Sequence, residues 1–287
     1  MFKVNIKKDM KLKQIKKAGI IGVGLMGGSL ALALRKSFNN FEIIGHARSE
    51  KTFRRLKKAK VLDRIERSDK KIAEEADILI LATPVGIIID LLKRLAPHLK
   101  KGAIVFDLGS TKEEIEKTAK SNFSKGVSFV GCHPFCGSEK AGVEKAKEGL
   151  YQGSLCFITS TNKASYLVEK IWKKIGSRVV RISSCAHDDI ICLTSHLPHL
   201  ICFSLVAAIP DKYLEFSSSG FVDLTRIASS SGDLWADIFL SNKTKLLKHL
   251  NKYNEISNKF KDAIIKEDKK ELKRLIKKAN KKRAKVL

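Results

Sequence analysis

The sequence predicts an α/β fold, a doubly wound and mostly parallel sheet followed by an all-helical region. Three observations predict it. Short apolar strand-like runs alternate with helical runs through the first part of the chain. A Gly-x-Gly-x-x-Gly turn made by Gly22, Gly24 and Gly27 stands between the first strand and the first helix. After Ser184 the strand signals stop and the apolar period becomes helical. That change of period alone divides the chain into residues 1–183 and 184–287.

In chain order, residues 18–21 form the first strand, and the apolar run 29–34 reads as the helix after the glycine turn. Residues 42–45 form the second strand, 77–82 the third, 103–107 the fourth and 127–131 the fifth, with helical segments between most of them. Apolar runs without polar alternation suit strands covered on both faces. Residues 155–160, a helix over 164–175 and a strand over 178–182 are expected to continue the same sheet.

A strand, three spaced glycines and a helix N-terminus are what a dinucleotide pyrophosphate requires. The first glycine makes the tight turn, the second admits the ligand to the backbone, and the third lets the helix pack closely. The helix then offers its unpaired N–H groups to the phosphates. Gly22, Gly24, Leu25, Met26 and Gly27 are therefore the candidate cofactor cradle. Ligands sit beyond the carboxyl ends of parallel strands, which adds Thr83 and Pro84 after the third strand. The acid that normally follows the second strand in NAD-binding folds is replaced by Ala47, and Arg48 and Ser49 come next. A guanidinium fork suits a 2′-phosphate, which favours NADP while leaving NAD possible. In the alternative, Arg48 is a solvated loop cation and Glu50 takes the acid's place.

Two further constellations suggest chemistry. Ser110 follows the fourth strand, and His133 is read as part of a polar turn after the fifth, so the two should lie near one another at the cleft. In Ser195-His196-Leu197-Pro198-His199 the histidines share a helix face, and Pro198 should kink the helix and free the Thr194 carbonyl. Residues 220–226 read as a turn with Asp223 capping a helix that carries Arg226.

These segments, with Trp235 and Asp237, resemble the prephenate/arogenate dehydrogenases of tyrosine biosynthesis, in the right order over nearly the whole chain. The resemblance implies a Rossmann-type domain, a helical domain that forms the homodimer, and an active site between them. By it, His133 is the catalytic base at the ring hydroxyl and Ser110 helps to orient that pair. Arg226 holds a substrate carboxylate, and His199, Ser138, Glu139 and Trp235 line the side-chain end of the pocket. It implies oxidative decarboxylation of prephenate to 4-hydroxyphenylpyruvate, or of arogenate to tyrosine. Another hydroxyacid dehydrogenase or imine reductase of similar layout would more typically place a catalytic lysine on the helical domain.

Composition narrows the classes. At 287 residues and 44% hydrophobic, the chain can bury a substantial core. The net charge of +26 raises the possibility of a non-enzymatic basic binding protein, but lysines are spread throughout and no nucleic-acid motif accompanies them. Residues 259–285, where they are densest, read as one solvated basic helix. No secretion signal is evident, the longest apolar stretch is taken as 76–89, and the six cysteines are expected to be reduced. A cytoplasmic homodimer with no metal, no membrane and no specific nucleic-acid partner is the expectation.

Overall fold

A computed structural model describes residues 14–136 and 142–286. Strands β1 (Lys17–Ile21), β2 (Glu42–His46), β3 (Arg64–Glu66), β4 (Ile78–Leu81), β5 (Ile104–Asp107) and β6 (Ser128–Val130) form one parallel sheet in the order β3-β2-β1-β4-β5-β6. Between them run α1 (Leu25–Ser37), α2 (Glu50–Ala59), α3 (Asp69–Glu75), α4 (Val85–Leu95) and α5 (Glu113–Asn122).

Alternate residues of each strand feed opposite faces, as the pleat dictates. Ile20, Ile80 and Phe106 join Leu30 and Leu34 of α1 in one core. Their neighbours Ile21, Leu81 and Val105 join Ile72, Ile88, Leu91 and Ile115 of α3, α4 and α5 in the other. The chain order reverses between β1 and β4, so the crevice beyond their carboxyl ends is the ligand position of such a sheet. The sequence reading missed β3, whose three half-exposed residues show no apolar run.

The later strands correct an expectation. Instead of extending the first sheet, β7 (Cys132–Phe135), β8 (Leu155–Ile158) and β9 (Arg178–Arg181) make a separate three-stranded sheet, with β7 antiparallel to β8. The break falls at Gly131, whose N–H donates to Ser160 Oγ at 2.9 Å. Helix α6 (Lys163–Lys174) connects β8 to β9 and sends Leu167, Val168, Ile171 and Trp172 into the first core. His133 accordingly lies in a buried strand, not in a polar turn. Pro134 is tolerated there because β7 is an edge strand.

Beyond β9 the structure is helical, with α7 (Ser184–Ile191), α8 (Leu197–Ala207), α9 (Ser219–Thr225), α10 (Gly232–Ser241), α11 (Lys243–Ile265) and α12 (Lys269–Arg283). A π-helical turn, Cys192–His196, joins α7 to α8, and the Leu197 N–H donates five residues back to Cys192 O. The extra residue per turn is how the helix absorbs Pro198. Together these segments make a continuous helical run, Ser184–Ala207, that is long and apolar enough to span a membrane, yet only 28% of its apolar window is buried. It exceeds the 76–89 stretch; the polar residues 194–196 and His199 hide its length in the sequence.

Two smaller corrections concern helix ends. Ser218, not Asp223, caps α9, accepting from the Phe221 N–H at 3.3 Å, because the helix starts earlier than its first acid. The basic C-terminal helix is two helices. Glu267 adopts φ +51°, and Asp268 caps α12 by accepting from the Glu271 N–H at 2.8 Å.

Gly22 has φ +96°, and a Cβ there would lie 2.6 Å from the Ala82 backbone. Gly22→Ala is expected to lower stability by about 1–3 kcal/mol, through left-handed strain and displacement of the strand-end turn. Urea unfolding checks this; an unchanged midpoint would contradict it.

Candidate active site

The turns at the ends of β1 and β4 form a cradle at the sheet's switch point. A Cβ on Gly27 would lie 2.3 Å from Gly22 O, so α1 packs on the turn only without a side chain there. At Gly24 a Cβ would meet nothing within 4 Å, which leaves the backbone open to a ligand. Gly24 is also the N-cap of α1 and supplies no side-chain cap, and the first turn carries no acid. Its N–H groups thus have no capping side chain to compete with an anion. Leu25 and Met26 open this turn, and Met26 O is tied to Tyr151 Oη at 2.7 Å. Thr83 Oγ1 is buried beside Gly22 without a partner among the described residues, a polar atom that a bound ligand would satisfy. Pro84 caps α4 without a side-chain hydrogen bond. These features fit a dinucleotide.

At the end of β2, Ala47 is fully buried and Arg48 is exposed. Glu50 is already engaged, accepting from Arg54 Nε at 3.1 Å and from Arg67. Ser49 caps α2, accepting from the Thr52 N–H at 3.2 Å.

The second part of the site is a buried relay. His133 Nδ1 lies 2.9 Å from His187 Nε2, and His187 Nδ1 lies 2.7 Å from Asp188 Oδ1. Asp188 also accepts from the Lys112 and Glu113 N–H groups at 2.8 and 2.9 Å, at the N-terminus of α5. Despite burial, the carboxyl is held below its ordinary value by these donors, His187 foremost. An ionised Asp188 must receive the His187 Nδ1 proton, so His187 Nε2 accepts from His133 Nδ1. The network thereby leaves His133 Nε2 as the unprotonated nitrogen. Burial, then the proximity of His187 and Lys112, pushes His133 well below the usual histidine value.

A buried ion pair supports the relay. Lys112 and Asp107 are both fully buried and paired through Nζ and Oδ2. Asp107 also accepts from the Gly109 N–H at 2.8 Å and from the Cys132 N–H at 3.2 Å. One chain of contacts therefore fixes the residue before His133, and another, through Asp188, fixes its ring. Ser110 sits half-buried in the loop between Asp107 and Lys112.

The helical region supplies the remaining groups. His199 stacks on Trp235 with ring centroids 3.5 Å apart, and its Nδ1–H donates to Ser195 O at 2.8 Å. His196 packs edge-on against the same indole, so both histidines do share a face toward Trp235. Asn242 Nδ2 reaches His196 Nδ1 at 3.3 Å and the Asp188 carbonyl at 2.8 Å, while His196 Nε2 is buried without a partner among the described residues. Arg226 is exposed at the C-terminal end of α9, and its charge helps to depress His199. Ser138 and Glu139 lie outside the described residues.

His187, Asp188, Lys112, Asp107 and Asn242 escaped the sequence reading. Their signal was charge in apolar surroundings: Asp107 closes an Ile-Val-Phe strand with Lys112 five residues on, and His187-Asp188 interrupts an apolar helix.

Burial also depresses His187, and it takes His196 down to about 4. Unfolded histidines protonate near 6.5, so below that pH the unfolded chain binds more protons and stability falls. Between pH 6.5 and about 4.5, each pH unit over which one such histidine stays neutral only when folded costs about 1.4 kcal/mol. Urea unfolding across this range should show the decline, and His196→Gln should flatten it; an equal slope in the variant would contradict this origin.

Comparison with known proteins agrees with this geometry. The family profile described as "Prephenate dehydrogenase, nucleotide-binding domain" matches residues 30–181, and "Prephenate dehydrogenase, dimerization domain" matches residues 183–278. A prephenate dehydrogenase of Lactococcus lactis subsp. cremoris is 33% identical over 88% of this chain and 73% of its own length. A structure of prephenate dehydrogenase from A. aeolicus, in complex with hydroxyphenyl propionate and NAD+, superposes with a TM-score of 0.87 at 31% identity, covering 98% of this chain and 100% of the other. Synechocystis arogenate dehydrogenase superposes with a TM-score of 0.80 at 28% identity, covering 94% of this chain and 100% of the other. The fold, the cradle and these matches together place the chain in the prephenate dehydrogenase family.

Proposed function

We propose that the chain catalyses the oxidative decarboxylation of prephenate or arogenate, with His133 as the base. The observation that carries this reading is the buried relay that leaves His133 Nε2 unprotonated at neutral pH. With its pyrophosphate held at the glycine turn, an oxidised nicotinamide dinucleotide would supply the hydride acceptor. As the carbinol carbon is oxidised, its hydroxyl proton passes to His133 Nε2. Asp188, through His187, stabilises the imidazolium that forms. Loss of CO2 then leaves an aromatic phenol, which makes the step effectively irreversible. Arg226 is assigned to a substrate carboxylate, since its paired donors fit both oxygens. Ser110 is assigned to orienting the hydroxyl, and His199 with Trp235 to the side-chain end of the pocket.

Residues 1–183 and 184–287 are taken as the nucleotide-binding and the substrate and dimerisation parts. NADP is the favoured cofactor, with NAD possible. Supporting it, Arg48 is exposed beside the buried Ala47 and makes no hydrogen bond or ion pair among the described residues, while the competing acid Glu50 is held by two arginines. A homodimer accounts for the uncovered apolar surface of the helical part, where Leu193, Phe216, Val222 and Leu224 are 46–76% exposed. The helix 184–207 carries the buried His187, Asp188 and His196, ionisable groups that a bilayer core would penalise. A partner subunit in the cytoplasm is the better cover.

Initial rates with NADP and NAD, each with prephenate and with arogenate, test the reaction; silence in all four combinations from folded dimer would overturn it. His133→Asn should lower kcat about 10²- to 10⁴-fold with KM little changed, whereas Arg226→Ala should mainly raise KM; equal loss of both parameters in each variant would contradict these roles. Because only neutral His133 accepts the proton and its ring is held well below the ordinary histidine value, activity is retained as pH falls through 6.5 and is lost only well below it; a loss centred on 6.5 in the pH–rate profile would contradict this. Arg48→Ala should reduce the kcat/KM preference for NADP about tenfold or more, and an unchanged ratio would remove Arg48 from that task.

A further inference from the structure

Helix α4 begins at the turn that borders the glycine cradle, and its own sequence leaves its N-terminus bare. Pro84 at the N-cap offers no side-chain acceptor, and the first turn contains no acid. The missing anion comes from the helical region. Both carboxylate oxygens of Asp237, on α10, lie 3.1 Å from the Gly86 N–H. A Cβ at position 86 would stand 2.8 Å from Asp237 Oδ1, so the carboxylate reaches this N–H because residue 86 is glycine. A negative charge at a helix N-terminus is favoured by both the unpaired N–H and the helix dipole.

The position of α10 gives this contact a second meaning. Two residues before Asp237, Trp235 stacks on His199. Four residues after it, Ser241 Oγ accepts from Thr111 Oγ1 at 3.2 Å, beside Ser110 and Lys112. One helix thus touches the turn after β4, the loop after β5 and the histidine pocket. An open groove of about 690 Å³, lined by Pro84, Ile87, Leu234 and Leu240 among others, runs along the α4–α10 seam beside the Asp237–Gly86 contact.

We propose that Asp237 is a positioning residue, a latch that fixes the cofactor turn at residues 83–86 relative to the substrate side of the cleft. The inference rests on the reaction proposed above. Hydride transfer depends on the distance between two bound molecules held by different parts of the chain. Breaking the latch should therefore slow turnover more than it weakens binding of either one.

Asp237→Ala, Asp237→Asn and Gly86→Ala test it by two readouts. Hydrogen exchange of the intact unliganded protein should show faster exchange over residues 85–88 in Asp237→Ala and Gly86→Ala, with Asp237→Asn intermediate because one acceptor oxygen remains. Steady-state kinetics should show kcat lower by about tenfold or more, KM for cofactor and substrate within about twofold, and the double variant Gly86→Ala/Asp237→Ala no worse than Asp237→Ala alone. Unchanged exchange at 85–88 would overturn the latch. Faster exchange with unchanged kcat, or loss that is additive in the double variant, would overturn the positioning role. If Asp237→Ala fails to fold, Gly86→Ala, which removes no side chain, carries the same test. Wild-type protein inactive on both substrates would instead reject the proposed reaction, and the exchange result would still decide whether the latch exists.

Discussion

The carboxylate of Asp188 is the constraint on which the site depends. It accepts two backbone N–H groups at the start of α5, where Lys112, the N-cap, makes no side-chain cap. In the same position it fixes the His187 tautomer. The first task anchors the helical region to the sheet, and the second determines which nitrogen of His133 is bare. Neither could be given up alone, because a buried carboxylate stripped of its donors would be costly. Asp237 meets α4 in the same manner. Each region thus supplies half of a polar contact that the other completes, and the cleft lies between them.

A buried ion pair beneath this arrangement serves specificity more than net stability, since the desolvation of Asp107 and Lys112 offsets much of their attraction. Burial pushes the Asp107 carboxyl upward, and the ammonium and two backbone donors pull against that rise. What the pair secures is geometry. Asp107 ends β5, and its second oxygen fixes the backbone where the chain passes from the first sheet into β7.

Much of the fold was legible because its signals are local. The glycine turn, the apolar strands 18–21, 77–82 and 103–107, and the loss of strand signals after Ser184 each follow from a few adjacent residues. Strand β3 was not legible, since Arg64, Ile65 and Glu66 lack an apolar pattern and owe their conformation to pairing with β2. Nor was the second sheet, because the departure at Gly131 depends on Ser160, 29 residues away. For the site, His133, His199 and Trp235 could be singled out by motif and resemblance. The partners His187, Asp188 and Lys112 could not, because their meaning comes from contacts across 54 to 76 residues of sequence. Resemblance names the residues proposed to touch ligands more readily than those that hold them in place.

The tautomer of His133 is the point at which fold, electrostatics and chemistry meet. Nitrogen NMR of histidine-labelled protein near pH 7, with a His133→Gln variant to assign the resonances, reads it directly. The relay predicts a neutral ring with Nδ1 protonated and Nε2 bare. A charged ring, or a neutral ring protonated at Nε2, would contradict His133 as the poised base.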